Sequence, residues 1–480
     1  MGRSDAAGDS QGATMIDPTG DRTVAASRFS AVSLAAALVS ALTALFVILV
    51  MAPAARAEIS DPGVSSTWTR YEVGFGASED CANAVALAGG DVAYVAGYAG
   101  NASGNVDLTL AKYVNGVTDP VWGGKKTWDG PNHNYDRGNA VATGPGGVVY
   151  TVGTTIDPGC RAVVIKWSAA TGDVLWVRRF GATTATHWGD YVGVDRRGNV
   201  VAAGTSEIGG KRDWYVVSWS AKGRLRWSWT PGALTPSGTF CNLAGLVVAR
   251  DGSVYATGHQ NDSKKALTVR LSSTGKRLWA NSYRGWLGKG ASAYGIAARP
   301  GGGVYVCGTT KWDPSLTAGV VWRYTSTGAR KVFFRDFGPD YVGFTEVAVT
   351  SDGSVVAAGY DYEPGFPVMH YALYTPTGLF KKLGDFGFLK HMWAGVATDA
   401  FGGFYLTADT DDAGGNARIE TRRLSVTTGG GSWTGLFQPW DTAANQPMAI
   451  AARGSTVVVV GTVDTGGVSG KDQFAIGYTY

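Results

Sequence analysis

Three short stretches combine histidine with aromatic residues: TWDGPNHNY (127–135), THWGDY (186–191) and KHMWAG (390–395). A fourth, RGWLGKG (284–290), sets a tryptophan among basic residues and glycines. Rigid aromatic faces beside polar groups suit sugar rings and peptide side chains, giving apolar contact plus orienting hydrogen bonds. His133, His187, Trp188, Trp286, His391 and Trp393 are therefore the candidate ligand-binding residues. No G-x-S-x-G elbow, H-E-x-x-H, phosphate loop or paired-cysteine redox motif accompanies them, so no catalytic residue is assigned. Carboxylates brought together from distant segments would escape such a motif search, which keeps a glycosidase or lyase open as the alternative.

Metal ligands are sparse. No close Cys/His spacing suggests zinc. The stretch DTDDAGGN (409–416) has Asp409, Asp411 and Gly414 at positions one, three and six, with Glu420 at twelve, loosely like a calcium loop. Position five is Ala413, which cannot ligate through its side chain. No cofactor is expected, and calcium is the one ion worth testing.

The elements that must position these residues come from a repeat. The phrase DGSVYATGH (251–259) returns as GGGVYVCGT (301–309), DGSVVAAGY (352–360) and RGNVVAAGT (197–205). Aligned on the first apolar residue of its strand, it recurs at Val92, Val148, Val200, Val254, Val304, Val355, Phe404 and Val457, at intervals of 49 to 56 residues. Around each copy lie an apolar strand, a Gly/Asp/Asn turn, the phrase itself, an alternating third strand such as DWYVVSWS (213–220), and an aromatic fourth strand such as RLWANSYRG. A four-stranded meander has two faces to bury. Radial stacking lets each sheet cover its neighbours, which predicts an all-β, eight-bladed β-propeller, with seven blades as the alternative. The last unit lacks a fourth strand, and STWTRYEVGFG (66–76) reads as an orphan one, so the N-terminal strand is expected to complete the eighth blade.

Residues 1–57 stand apart. Arg28 precedes the apolar block 31–51, and Ala55-Arg56-Ala57 fits the small-x-small pattern read by signal peptidases. The segment is read as a signal peptide or an uncleaved N-terminal membrane anchor, with 58–480 a single propeller domain that is secreted or surface-exposed. The net charge of +4 is too mild to argue for nucleic acid. In an exported chain four cysteines invite disulfides. Loop placement in a propeller puts Cys81 near Cys160 and Cys241 near Cys307, and these two bridges are expected.

The repeat resembles that of the bacterial secreted β-propeller-repeat proteins of the SBBP type. The resemblance rests on DGSVYATG, GNVVAAGT, the aspartates Asp107, Asp213 and Asp472 before third strands, and TGDVLW or TGKRLW before fourth ones. It implies an extracellular or surface scaffold without assigned chemistry. Units five and six depart from it, with Phe333 and Leu383 near the expected tryptophan. The TG--LW pieces are also similar to the tryptophan-docking repeats of pyrroloquinoline-quinone dehydrogenases, which commonly carry a vicinal Cys pair. No two cysteines are adjacent here. The reading is therefore a propeller that binds a glycan, peptide or cell-envelope partner through its loops. The alternative is an exported carbohydrate-active enzyme with carboxylates near the axis.

Overall fold

The computed structural model describes residues 56–59, 66–72, 79–89, 91–234, 241–260, 265–311, 317–334, 342–363, 366–388, 395–411, 417–438, 445–464 and 471–479. Within them the only helical segments are three 3₁₀ turns, and no helix is long and apolar enough to cross a membrane. The apolar block 31–51 lies outside the described residues.

Eight antiparallel four-stranded blades form a ring. The fold is an eight-bladed β-propeller. The fourth blade shows the pattern: inner strand Cys241–Val248, second Val254–Gln260, third Lys265–Leu271, outer Arg277–Tyr283. Second and third strands are buried on both faces, because neighbouring blades cover them. Thus Val201, Trp214 and Val216 of blade three pack with Ala256, Leu267 and Val269 of blade four. In blade three the inner strand is split into Thr186–His187 and Tyr191–Val194. In blade one the outer position is shared by Val117–Thr118 and Lys126–Trp128. Arg56–Ile59 adds a fifth strand to blade seven, against Gly431–Gln438.

The ring closes as the sequence suggested. Ser66–Glu72 pairs antiparallel with Lys471–Thr479, with Ser66 opposite Thr479 and Glu72 opposite Gln473. Trp68 from this strand lies over Gly116 of blade one, where any β-carbon would fall about 2 Å from its ring, and 5.5 Å from Tyr113. The first and last strands of the propeller are thereby one blade.

A related device joins blades one to four to their successors. The indoles of Trp122, in the turn between the two outer segments of blade one, and of the outer-strand Trp176, Trp227 and Trp279 donate from Nε1 to Ala169 O, Ala221 O, Ser273 O and Ser326 O, each in the turn between third and outer strand of the next blade, at 3.0–3.2 Å. The turn glycines Gly172, Gly275 and Gly328 have positive φ and leave room for the rings of Trp122, Trp227 and Trp279, while Gly223 lies under Arg178. Blades five and six differ. Phe333 covers Gly378, and Lys382 covers Gly429 and donates to its carbonyl at 2.9 Å. Leu383, one residue on, is exposed; the tryptophan's seat belongs to Lys382.

The repeated phrase has a second glycine at its end, and its reason is not a turn. At Gly97, Gly153, Gly204, Gly258, Gly308, Gly359 and Gly461 a β-carbon would stand 1.7–2.3 Å from an inner-strand carbonyl oxygen. In six blades the inner strand carries a bulge near this point, as between Ala293 and Gly295, and the bulge presses its backbone toward the second strand. Only a residue without a side chain fits there.

Candidate functional site

The loops from outer to inner strand and from second to third strand open on one face. Between blades three and four they shape a shallow cleft of about 300 Å³ lined by Trp188, Asp190, Thr205, Arg212 and Asn242. Each residue is held by local packing. Tyr215 OH donates to Trp188 O at 2.8 Å, and Gly204 lets that backbone approach. The Arg212 guanidinium lies 5.3 Å from the Trp188 ring centroid, and its Nε donates to Glu207 Oε2 at 2.7 Å. A cation over an indole face is favourable, and Arg adds planar hydrogen-bond donors. Asp190 Oδ2 accepts from Thr205 N at 3.2 Å. Burial pushes its carboxyl up to about 6, against the smaller lowering effect of that N–H.

His187 takes no part in the cleft surface. It is 6% exposed, with its ring edge-on to Phe180 and Tyr215 at 5.9 and 6.1 Å. Ala182 N donates to its Nε2 at 3.3 Å, and burial lowers its pKa, so the ring is a neutral wedge under the loop that presents Trp188. The structure places His187 in the short strand Thr186–His187, enclosed by Phe180 and Tyr215 beneath the Trp188 backbone.

The other candidates are dispersed around the rim. His133 is exposed in the loop entering blade two, with φ +48° and Nδ1 2.5 Å from Asp129 Oδ2, a contact that raises its pKa. Trp286 is exposed at the tip entering blade five, where its N–H donates to Thr310 Oγ1 at 2.9 Å and neighbouring Leu287 is 80% exposed. His391 and Trp393 lie outside the described residues. Of the candidates, the structure thus places only Trp188 in the cleft among the described residues, with His187 buried beneath it and His133 and Trp286 on separate blade junctions.

The inner strands line the axis. There Glu346 of blade six keeps an exposed side chain though it is ringed by protein, and desolvation raises its carboxyl to about 7. Asp190 and Glu346 both act electrostatically on Tyr191 of blade three.

The expected disulfides are not formed. Cys81, Cys160 and Cys307 are free thiols, and the Cys241 side chain lies outside the described residues. Cys81 opens an inner strand and Cys160 a third strand, two strand spacings farther from the axis, about 10 Å. That exceeds the reach of a bridge of about 7 Å between α-carbons. Instead Cys81 Sγ meets Asn83 Oδ1 at 3.0 Å, and burial pushes its thiol up to about 12. Cys307 is a free thiol fully buried within blade five, opposite Gly295 and Val321.

The calcium-like stretch is also built differently. Asp409 and Asp411 belong to the strand Gly403–Asp411, and residues 412–416 lie outside the described residues. Glu420, in the next strand, faces Arg422 at 2.6 Å and Arg418 at 3.6 Å, so its charge is already matched.

Asp190, Thr205, Arg212 and Asn242 were not singled out from sequence. They come from four separate strands or loops of two blades, and only the THWGDY stretch hinted at them.

No family model and no curated protein matches the chain. Solved structures do. Sqt1 of Chaetomium thermophilum is similar at a TM-score of 0.51 and 11% identity, over 84% of this chain and 96% of that one. The polysaccharide lyase Uly1 matches at 0.45 and 10% identity, over 83% of this chain and 90% of that one. The quinohemoprotein alcohol dehydrogenase of Comamonas testosteroni matches at 0.44 and 12% identity, over 86% and 76%. The likeness to Sqt1 bears on the fold alone and says nothing about activity.

Proposed function

We propose that the chain is an exported binding propeller, and that the cleft of Trp188, Asp190, Thr205, Arg212 and Asn242 takes a glycan or peptide. One observation carries this reading: an indole face, a guanidinium, a carboxylate and an amide converge on one cleft of the loop face. Trp188 would stack on a sugar ring or side chain, while Arg212, Asp190 and Asn242 would fix its orientation. The resemblance of the repeat to SBBP-type scaffolds supports binding without chemistry, and the apolar segment 31–51 with its Ala-Arg-Ala sequence supports export.

A second reading, a carbohydrate-active enzyme, draws on the two raised carboxyls of Asp190 and Glu346 that both act on Tyr191. Against it, the cleft lining holds one carboxylate where glycoside hydrolysis uses two. A glycan and peptide array probed with the full chain, with released sugar measured in parallel, separates the readings. Binding should weaken at least tenfold in Trp188→Ala and Arg212→Ala. Sugar release that is lost in Glu346→Gln would favour the enzyme, and unchanged binding in both cleft variants would remove the cleft from the account.

A further inference from the structure

At the junction of blades one and two, three carboxylates converge from separate segments. Asp107 is the second residue of the third strand of blade one, Val106–Val114. Asp129 sits in the loop entering blade two, and Asp136 opens that blade's inner strand, Asp136–Thr143. Their nearest ligand oxygens all lie within 4.8 Å of one another. Among the described residues neither Asp107 nor Asp136 has a salt bridge, while Asp129 is paired with the exposed His133. Three carboxyls at this separation repel one another when ionised, and something must offset that.

A separate observation points to what does. Thr155 is fully buried and stands directly opposite Asp136 in the sheet. Its Oγ1 interacts with the Asp136 carboxylate but meets no partner with full hydrogen-bond geometry. Asp136, 1% exposed, accepts from Gly130 N through Oδ2 at 2.6 Å, and its Oδ1 is likewise without a partner. Unsatisfied polar atoms this deep are costly and rare. Both oxygens crowd the spot where a β-carbon on Gly130 would stand, at 2.8 and 2.9 Å, so the glycine keeps that pocket open. Asn101 Nδ2 donates to Asp107 Oδ1 at 2.7 Å, which fixes the third carboxylate toward the others.

We infer that Asp107, Asp129, Asp136 and the Thr155 hydroxyl form a divalent-cation site, and that its ion is calcium. All four donors are oxygens, the preference of a hard cation. Their irregular arrangement suits calcium, which tolerates six to eight ligands in flexible geometry, better than magnesium, which demands near-ideal octahedra. The repeat supports the specificity of the place. Twelve residues before the aligned apolar position, blades one and two carry Asp80 and Asp136, whereas blades four, five, six and eight carry Asn242, Ser292, Gly343 and Asn445. Among the described residues, only at Asp136 do two further aspartates join. The ion would tie the last loop of blade one to the first strand of blade two, a junction separate from the Trp188 cleft.

The test is terbium luminescence of the chelator-treated full chain, excited through tryptophan, with Trp128 beside Asp129 as antenna. Emission should saturate at one ion per chain and be displaced by calcium at more than tenfold lower concentration than by magnesium. Asp129→Asn and Asp107→Asn should each weaken terbium binding at least tenfold, with circular dichroism in chelator unchanged. Asp411→Asn, in the calcium-like stretch, should bind as the parent does. Should Asp129→Asn fail to fold, the ion content of Asp107→Asn after dialysis against calcium decides the matter. Non-saturable emission, displacement by magnesium as readily as by calcium, or parental binding in both cluster variants would overturn the site.

Discussion

The two glycines of the repeated phrase can be separated by experiment in blade five. Gly301, in the turn, has φ +79° and nothing within 4 Å of a would-be β-carbon. Gly308, at the phrase's end, would place its β-carbon 1.9 Å from Ser292 O and 2.9 Å from Ser292 C. Alanine at 301 has only the left-handed backbone to bear, about 1–2 kcal/mol, offset by about 0.4–1 kcal/mol of lost unfolded-state freedom. Alanine at 308 forces a backbone carbonyl of the inner strand to retreat by roughly 1 Å, since real contacts keep about 3 Å. Overpacking of this kind costs about 3 kcal/mol or more, with a ladder hydrogen bond also strained. An unfolding entropy of about 2.1 cal/mol/K per residue over some 400 residues gives roughly 0.8 kcal/mol/K. Thermal melts followed by circular dichroism should therefore show Gly308→Ala lowered by about 4 °C or more and Gly301→Ala by about 1 °C. A shift in Gly308→Ala no larger than in Gly301→Ala would refute the close-approach explanation.

Other expectations follow from the same contacts. Trp227→Phe removes the Nε1 donor to Ser273 O and should cost about 1–2 kcal/mol in urea unfolding, whereas Leu383→Ala, on an exposed residue, should cost less than about 0.5 kcal/mol. Asp190 has a folded pKa of about 6, above its unfolded value, so the folded state holds this proton more tightly; its contribution to stability falls as pH rises from about 4 to 6 and stays low above that. Asp190→Asn should accordingly raise the melting temperature at pH 7.5, with the gain shrinking at pH 4.5; a constant difference across that range would contradict the assignment. Thiol titration without reductant should find at least three reactive cysteines after denaturation, and Cys307 should stay unreactive in the native protein.

Blade number, strand order and closure were legible in the sequence because they follow from periodicity: a fifty-residue interval, alternating strands and a missing fourth strand at one end. The equal offsets of Trp176, Trp227, Trp279 and Trp433 from their turns mark them as packing residues, while the carbonyls that the first three bond come from the next blade. What stayed hidden depends on neighbours far away in the chain. The terminal glycines of the phrase answer to bulges in another strand, so they resemble ordinary turn residues when read alone. Lys382 replaces a tryptophan because a long alkyl stem and an ammonium can cover a glycine and reach its carbonyl, a substitution that residue type does not suggest. Cys81 and Cys160 share a face but differ in radius, a coordinate that loop placement does not give. The cleft joins Trp188 to Asn242, 54 positions later, and only blade packing makes them adjacent.

Every placement of loops and clefts rests on the two chain ends sharing one sheet. Hydrogen exchange of the full chain, read on peptides covering 66–72 and 471–479, probes that sheet directly. Amides of both segments should exchange slowly and together, as cooperatively as those of Arg277–Tyr283 in blade four. Exchange of 66–72 within seconds while 471–479 remains protected would mean the N-terminal strand is not the eighth blade's outer strand, and the closed ring would be wrong.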